Sequence, residues 1–139
     1  MNIDLVNELY RDVKEYVNLN TQYSPRVTQK SLKQSDKFPL ITITEDNNKN
    51  DLVSTEFSES TDKISISVNI YAQDIAIENK TISNVNIARE LMKLVDDIAG
   101  RKYHMLRTDC KPTPNLDNTI YRITMKYTKK IITSKNILI

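Results

Sequence analysis

The run from Lys63 to Ala72 alternates without a break. Ile64, Ile66, Val68, Ile70 and Ala72 stand between Ser65, Ser67, Asn69 and Tyr71. A strand has a side-chain period of two, so the apolar residues line one face and the polar ones the other. One face therefore needs a cover and the other does not. Antiparallel sheets tolerate half coverage and parallel sheets rarely do. The run predicts a mainly antiparallel sheet with its apolar face under helices.

Two segments have the 3.6-residue period such a cover needs. From Asn2 to about Asn18 the stripe is Val6, Leu9, Val13 and Tyr16 or Val17, extended by Ile3, with Asn2 as N-cap and Asp4 in the first turn. From Ser83 to Ala99 the stripe is Val85, Ala88, Leu91 or Met92, Val95, and Ile98 or Ala99, with Ser83 as N-cap. Gly100, the only glycine, falls where a helix C-cap takes positive φ, and Arg101 and Lys102 follow at the helix's negative end. This second helix is the expected core helix.

Further strands are expected over Phe38–Thr44, Tyr103–Cys110 and Ile120–Thr128. Pro39 lacks an amide hydrogen and belongs at a strand's start or on an edge. Residues 20–37 read as a polar connector with an irregular strand around Arg26–Thr28. Lys111-Pro112-Thr113-Pro114-Asn115 and Asp117-Asn118 form a turn region. In the last strand Tyr121, Ile123, Met125 and Tyr127 share one face.

The expected order is α-β-β-α-β-β: an α+β fold with about four strands, mainly antiparallel, and two helices on one face. Its 139 residues argue for a single domain. Glu45–Asp62 has no apolar period and many Asn, Asp and Ser residues, and reads as a long hairpin loop or arm, mobile over 46–62. Residues 129–139 read as a C-terminal tail or short hairpin. The chain is 39% apolar and lacks Trp, and seven of its nine aromatics are Tyr, which predicts a modest core and a large polar surface.

Composition also removes much chemistry. The net charge of +2 gives no electrostatic footprint for nucleic acid or acidic lipid. No apolar run approaches the roughly 20 residues needed to span a bilayer, and Met1–Leu9, with Asp4 and Glu8, does not read as a secretory signal. The single cysteine, Cys110, allows no internal disulfide. His104, the only histidine, shares strand parity with Cys110, but strand rise sets them about 20 Å apart, so they cannot form a nucleophile–base pair. One Cys and one His do not make a zinc site. Asp96 and Asp97 are helical neighbours that point apart. Glu56, Glu59 and Asp62 lack the glycine and spacing of a calcium loop, and one glycine cannot build a phosphate-cradling loop. No catalytic residue, metal or cofactor is expected. For nucleic acid the best face is the polar one with Tyr71, Arg122 and Lys126.

Charge is unevenly distributed. An acidic flank holds Glu45, Asp46, Asp51, Glu56 and Glu59, and a basic one holds Lys126, Lys129, Lys130 and Lys135. These are the candidate oligomer and partner contacts, since opposed flanks complement each other between copies.

The pattern Phe38-Pro39-Leu40-Ile41-Thr42-Ile43, the alternating strand Ile64–Tyr71, the helix to Gly100, and Pro112-Thr113-Pro114-Asn115 leading to Tyr121-Arg122-Ile123-Thr124-Met125-Lys126-Tyr127 resemble tail terminator and related neck proteins of long-tailed bacteriophages. The resemblance covers about two-thirds of the chain, and the bare Gly100-Arg101-Lys102 departs from the glycine-rich turn commoner there. It implies a non-enzymatic ring, commonly a hexamer, that caps the tail tube and forms the head–tail interface. Its implied partners are further copies of itself, the tail tube protein and the head connector or adaptor proteins, with DNA only in transit through the lumen and no membrane. Its implied location is the virion, assembled in the bacterial host cytoplasm. The alternatives are another neck, head-completion or minor capsid protein, or a generic nucleic-acid- or protein-binding module.

Overall fold

The computed structural model describes residues 3–29, 37–54, 59–113 and 119–134, and their side chains within 5–29, 37–46, 63–113 and 119–130. The fold is α+β, with two helices, a mainly antiparallel five-stranded sheet and a separate two-stranded ribbon.

Helix α1 spans Ile3–Asn20 and buries Val6, Leu9, Val13 and Val17. Its last-turn carbonyls are taken by side chains, which ends the helix without a glycine. Asn18 donates to the Lys14 carbonyl at 2.8 Å, Asn20 to Tyr16 at 2.8 Å and Thr21 to Val17 at 2.7 Å. Asn2, the expected N-cap, lies outside the described residues.

The main sheet contains β1 (Arg26–Thr28), β2 (Leu40–Ser54), β3 (Glu59–Ala72), β6 (Leu106–Pro112) and β7 (Tyr121–Ser134), in the order β1-β2-β3-β7-β6. Five strands replace the expected four because Arg26–Thr28 pairs in parallel with Leu40–Thr42, while every other pairing is antiparallel. The Arg26 amide also donates to the Pro39 carbonyl at 3.0 Å. The ribbon, β4 (Ile75–Ile77) and β5 (Lys80–Ile82), turns through Glu78 and Asn79, both at positive φ. That is the backbone requirement of a type I′ hairpin. Without a glycine the turn gave no sequence signal.

Helix α2 spans Asn84–Asp96. Ser83 is its N-cap, as expected, with its hydroxyl accepting from the Asn86 amide at 3.3 Å. Its far end departs from expectation. The helix does not stop at Gly100 but widens into a π-helical turn over Asp97–Lys102, and no glycine has positive φ. The reversal falls at His104, with φ 56°. Histidine is among the few residues enriched in that region. The Tyr103 and Met105 amides close this end on the carbonyls of Ile98 and Ala99. His104 is therefore not a strand residue, and β6 begins at Leu106.

The core lies between the helices and one face of the sheet. Ile64, Ile66, Val68 and Ile70 of β3 meet Ile87, Ala88, Leu91 and Val95 of α2 in one cluster with the α1 stripe and with Ile123, Met125 and Tyr127 of β7. Burying one such aliphatic side chain stabilises by about 1.5–3 kcal/mol. The opposite face is not wholly open. Leu40 and Thr42 are buried there, and Tyr71 is 5% exposed.

Tyrosines fasten the layers together. Tyr127 donates to Asp96, Tyr103 to Asp12, and Tyr16 to Asp97 at 3.2 Å. Tyr127 is buried and Tyr16 and Tyr103 are half-buried, and each hydroxyl finds a carboxylate, so a chain without Trp gains both packing and polar ties from this residue type.

Candidate functional site

The described residues of the segment expected as a long hairpin loop or arm, 45–54 and 59–62, are strand. The β2–β3 ladder continues from Leu40↔Tyr71 to Ser54↔Glu59, and β3 pairs with β7 from Ala72↔Tyr121 to Glu59↔Ser134. The three strands thus run on together past Ile64, a buried residue. The residues of β3 beyond it, Glu59–Lys63, include no apolar side chain. Five further residues of β3 and of β7, at the usual rise, reach about 17 Å. Among the described residues, β2 has a partner on its outer side only through Thr42, and β7 only through Thr128.

Two register shifts interrupt β2, between Glu45 and Asn47 and between Asn50 and Leu52. The extra residues are Asp46 and Asp51. A bulge combined with a charge blunts an exposed edge against unwanted pairing. Asp46 is fixed by accepting a bond from Ser67 Oγ.

The predicted contact residues come together in this one region. Glu45 faces Ile66 in register, Glu59 faces Ser134, Lys126 faces Ser67, Lys129 faces Ile64 and Lys130 faces Lys63. Glu45, Asp46 and Asp51 lie on β2, Glu59 on β3, and Lys126, Lys129 and Lys130 on β7. Lys129 reaches the helix side, where Nζ donates to the Tyr103 carbonyl at 2.7 Å. Glu56 and Lys135 lie outside the described residues, as do Pro114-Asn115 and Asp117-Asn118 of the expected turn. Sequence reasoning missed Lys49 and Lys63, which take positions in the same ladders. Only the cross-strand register pairs Lys49 with Lys63 and Lys63 with Lys130.

The polar face expected to stack bases is closed at its tyrosine. The Arg122 guanidinium sits 5.3 Å over the Tyr71 ring. Arg122 Nε and Nη2 both donate to Asn69 Oδ1, at 3.1 and 3.0 Å, and Thr124 Oγ1 donates to the same oxygen at 2.7 Å. One carboxamide oxygen thus locks Arg122 flat against the sheet.

Elsewhere the polar groups serve the fold. Asp96 turns to Tyr127 and Arg107, and Asp97 to Tyr16 and Arg101, so the adjacent acids diverge as helical neighbours should. The cleft of about 670 Å³ beside the π-helical turn is lined by these same paired groups. Burial, then the Asp96 hydrogen bond, pushes the Tyr127 phenol well above its ordinary value. Cys110 approaches Met92 sulfur to sulfur at 3.3 Å, and burial pushes its thiol up, the reverse of an activated nucleophile. No group of three or more metal-ligating side chains occurs among the described residues, and no described helix is long and apolar enough to cross a membrane. No protein-family model matches the chain, and no curated protein matches it.

Proposed function

We propose that this chain is a structural virion protein, a bacteriophage tail terminator that closes into a ring on the tail tube and forms the head–tail interface. One observation carries the reading: three strands stay paired past the buried core, in a stretch whose middle strand has no apolar residue to bury. Fixing a residue's backbone costs roughly 1–2 kcal/mol. A middle strand with no apolar side chain to bury supports a role for the extension in contacts outside the chain.

The extension is the arm of this reading. Heterologous contacts close into rings when the rotation between copies allows, and the outer sides of β2 and β7 offer two different edges for them. Glu45, Asp46, Asp51, Glu56 and Glu59, with Lys126, Lys129, Lys130 and Lys135, are the contact residues proposed between copies and toward the tail tube and head connector. No enzymatic step is assigned.

Negative-stain imaging of the purified protein with tail tubes tests the proposal. Rings capping tubes of fixed length are expected. A protein that stays monomeric at high concentration, leaves tubes uncapped and does not alter their length would overturn it. A variant lacking residues 47–60 is expected to abolish joining of tails to heads. Normal tails joined to heads in that variant would remove the arm from the proposal.

A further inference from the structure

Pairing across four strands places residues in rows. Glu45 of β2 stands opposite Ile66, Ile66 opposite Tyr127, and Tyr127 opposite Arg107 of β6. The neighbouring rows run from Thr44 through Ser67 and Lys126 to Asp109, and from Ile43 through Val68 and Met125 to Cys110. Residues directly opposite on antiparallel strands share a face, so Glu45 and Arg107 are the two ends of one row on the helix-covered face. Among the described residues neither end has a strand beyond it. β1 reaches only Thr42, and β6 is the last strand of the sheet.

A sheet edge offers unpaired backbone groups to another chain, and these two edges match. β2 runs antiparallel to β3, β3 to β7 and β7 to β6, so β6 runs opposite to β2. Rotation about an axis along the strands keeps their direction. β6 of one copy therefore meets β2 of the next antiparallel, the stronger of the two kinds of pairing. Beside β2 lies a groove of about 340 Å³ lined by Val6, Asn7, Gln29, Ile43, Thr44 and Glu45, and its one charge is the exposed Glu45. Beside β6 the cleft sets Lys93, Arg101 and Arg107 against Asp96 and Asp97, which leaves it one positive charge in surplus. Arg107 gives Nη1 to Asp96 and has further N–H donors for a second carboxylate. Leu106, 68% exposed, begins this edge.

We propose that the outer edge of β6 in one copy pairs antiparallel with Ile43–Glu45 of β2 in the next, bringing Arg107 against Glu45 of that next copy. The inference rests on the ring proposed above and names the strands that join its copies. Rows that continue unshifted across the boundary also set Cys110 opposite Ile43 and Asp109 opposite Thr44, so each face meets its like. The register shifts at Thr108 and Asp46 fall on either side of the Arg107–Glu45 row and bound the contact. A second copy is the occupant that charge selects, and it is a different edge of that copy. Pairing β6 with itself brings together two clefts of surplus positive charge, and pairing β2 with itself brings together two Glu45 carboxylates.

Disulfide trapping in the full chain tests it, in a C110S background and with tail tubes present. T44C and D109C lie on the face away from the helices, and residues directly opposite have Cβ atoms about 4.5–5.5 Å apart, close to disulfide reach. Mixing the two single-cysteine proteins is expected to give a covalent heterodimer, and the chain carrying both cysteines a covalent ladder. Cross-linked homodimers of either single variant reveal a two-fold contact and overturn the proposal. Rings imaged on tubes without any cross-link overturn it and leave the ring standing, whereas no assembly on tubes overturns both. E45R is expected to weaken association by about tenfold or more, since it sets like charges together, and E45R/R107E to restore it. R107E also removes the partner of Asp96, so its fold is checked by Tm, and E45R, at an exposed side chain, keeps the test decisive. Unchanged association of E45R, or no recovery in a folded double variant, overturns the pairing.

Discussion

Strands β2, β3 and β7 each have two unlike halves. Near the helices, β3 presents Ile64, Ile66, Val68 and Ile70, all buried, and β7 answers with Ile123, Met125 and Tyr127. Further along, the same β3 reads Glu-Ser-Thr-Asp-Lys, between strands whose ladders continue without loss of register in β3 and β7. Backbone pairing is common to both halves, and the apolar row of β3 belongs to one. Net hydrogen-bond contributions are modest, about 0.5–1.5 kcal/mol each. The halves therefore differ in what holds them, although a ladder diagram draws them alike.

The comparison is tested most strongly in the core. Ile66→Ala, at a fully buried site, is expected to lower stability by about 2–5 kcal/mol in chemical denaturation. Asp96→Ala removes the carboxylate that accepts from the buried Tyr127 hydroxyl and from Arg107. A loss of about 1–3 kcal/mol is expected for a buried donor left without its acceptor, again measured by denaturant midpoint.

The tyrosine ties give the covered half a pH signature. Burial, then the Glu90 hydrogen bond, raises the Tyr23 phenol to about 12 from 10.0. Tyr103 and Tyr127 shift the same way, first through burial and then through Asp12 and Asp96. A raised folded value means stability fully present below 10 and lost as pH rises through 12. Absorbance titration is expected to show these phenols ionising late, together with unfolding. On the acid side, the Lys102 and then the Tyr103 hydrogen bonds hold the Asp12 carboxyl below 3.8. Its contribution is present above that value and fades as pH falls through the lowered one, so Asp12→Asn flattens the acid limb of a stability–pH profile.

Smaller effects sharpen the contrast. Gly100 has ordinary negative φ, and an added Cβ would meet nothing within 4 Å. Gly100→Ala is expected to raise stability by about 0.4–1 kcal/mol through the unfolded chain's entropy. A loss of stability would restore the expected glycine cap. Ser60→Ala, in the polar half, is expected to change stability by less than about 0.5 kcal/mol. A cost comparable to that of Ile66→Ala would erase the distinction between the halves.

The covered half was legible because it has contrast. The alternation of Ile64–Ala72, the α1 stripe and the Ser83 cap are local signals, and each was found in place. The extension was not legible as strand, because a period is read from apolar against polar and Glu45–Asp62 has little of the first. The β4–β5 ribbon was missed for want of a glycine at its turn. The helix end was misplaced because Gly100 satisfies a local rule that the π-helical turn overrides, with His104 reversing the chain instead. The candidate contacts were identified as flanks, but Lys49 and Lys63 were not among them.

The sequence by itself determined the fold class, the buried face of β3 and the two helices, since these follow from residue identity and short-range periodicity. The tertiary structure alone decided which distant residues became neighbours. It set Lys63 opposite Lys130, placed β2 and β7 on either side of β3, and matched tyrosines with carboxylates across layers. Register is a relation between strands, fixed by the pairing of whole ladders, and no local stretch of sequence contains it.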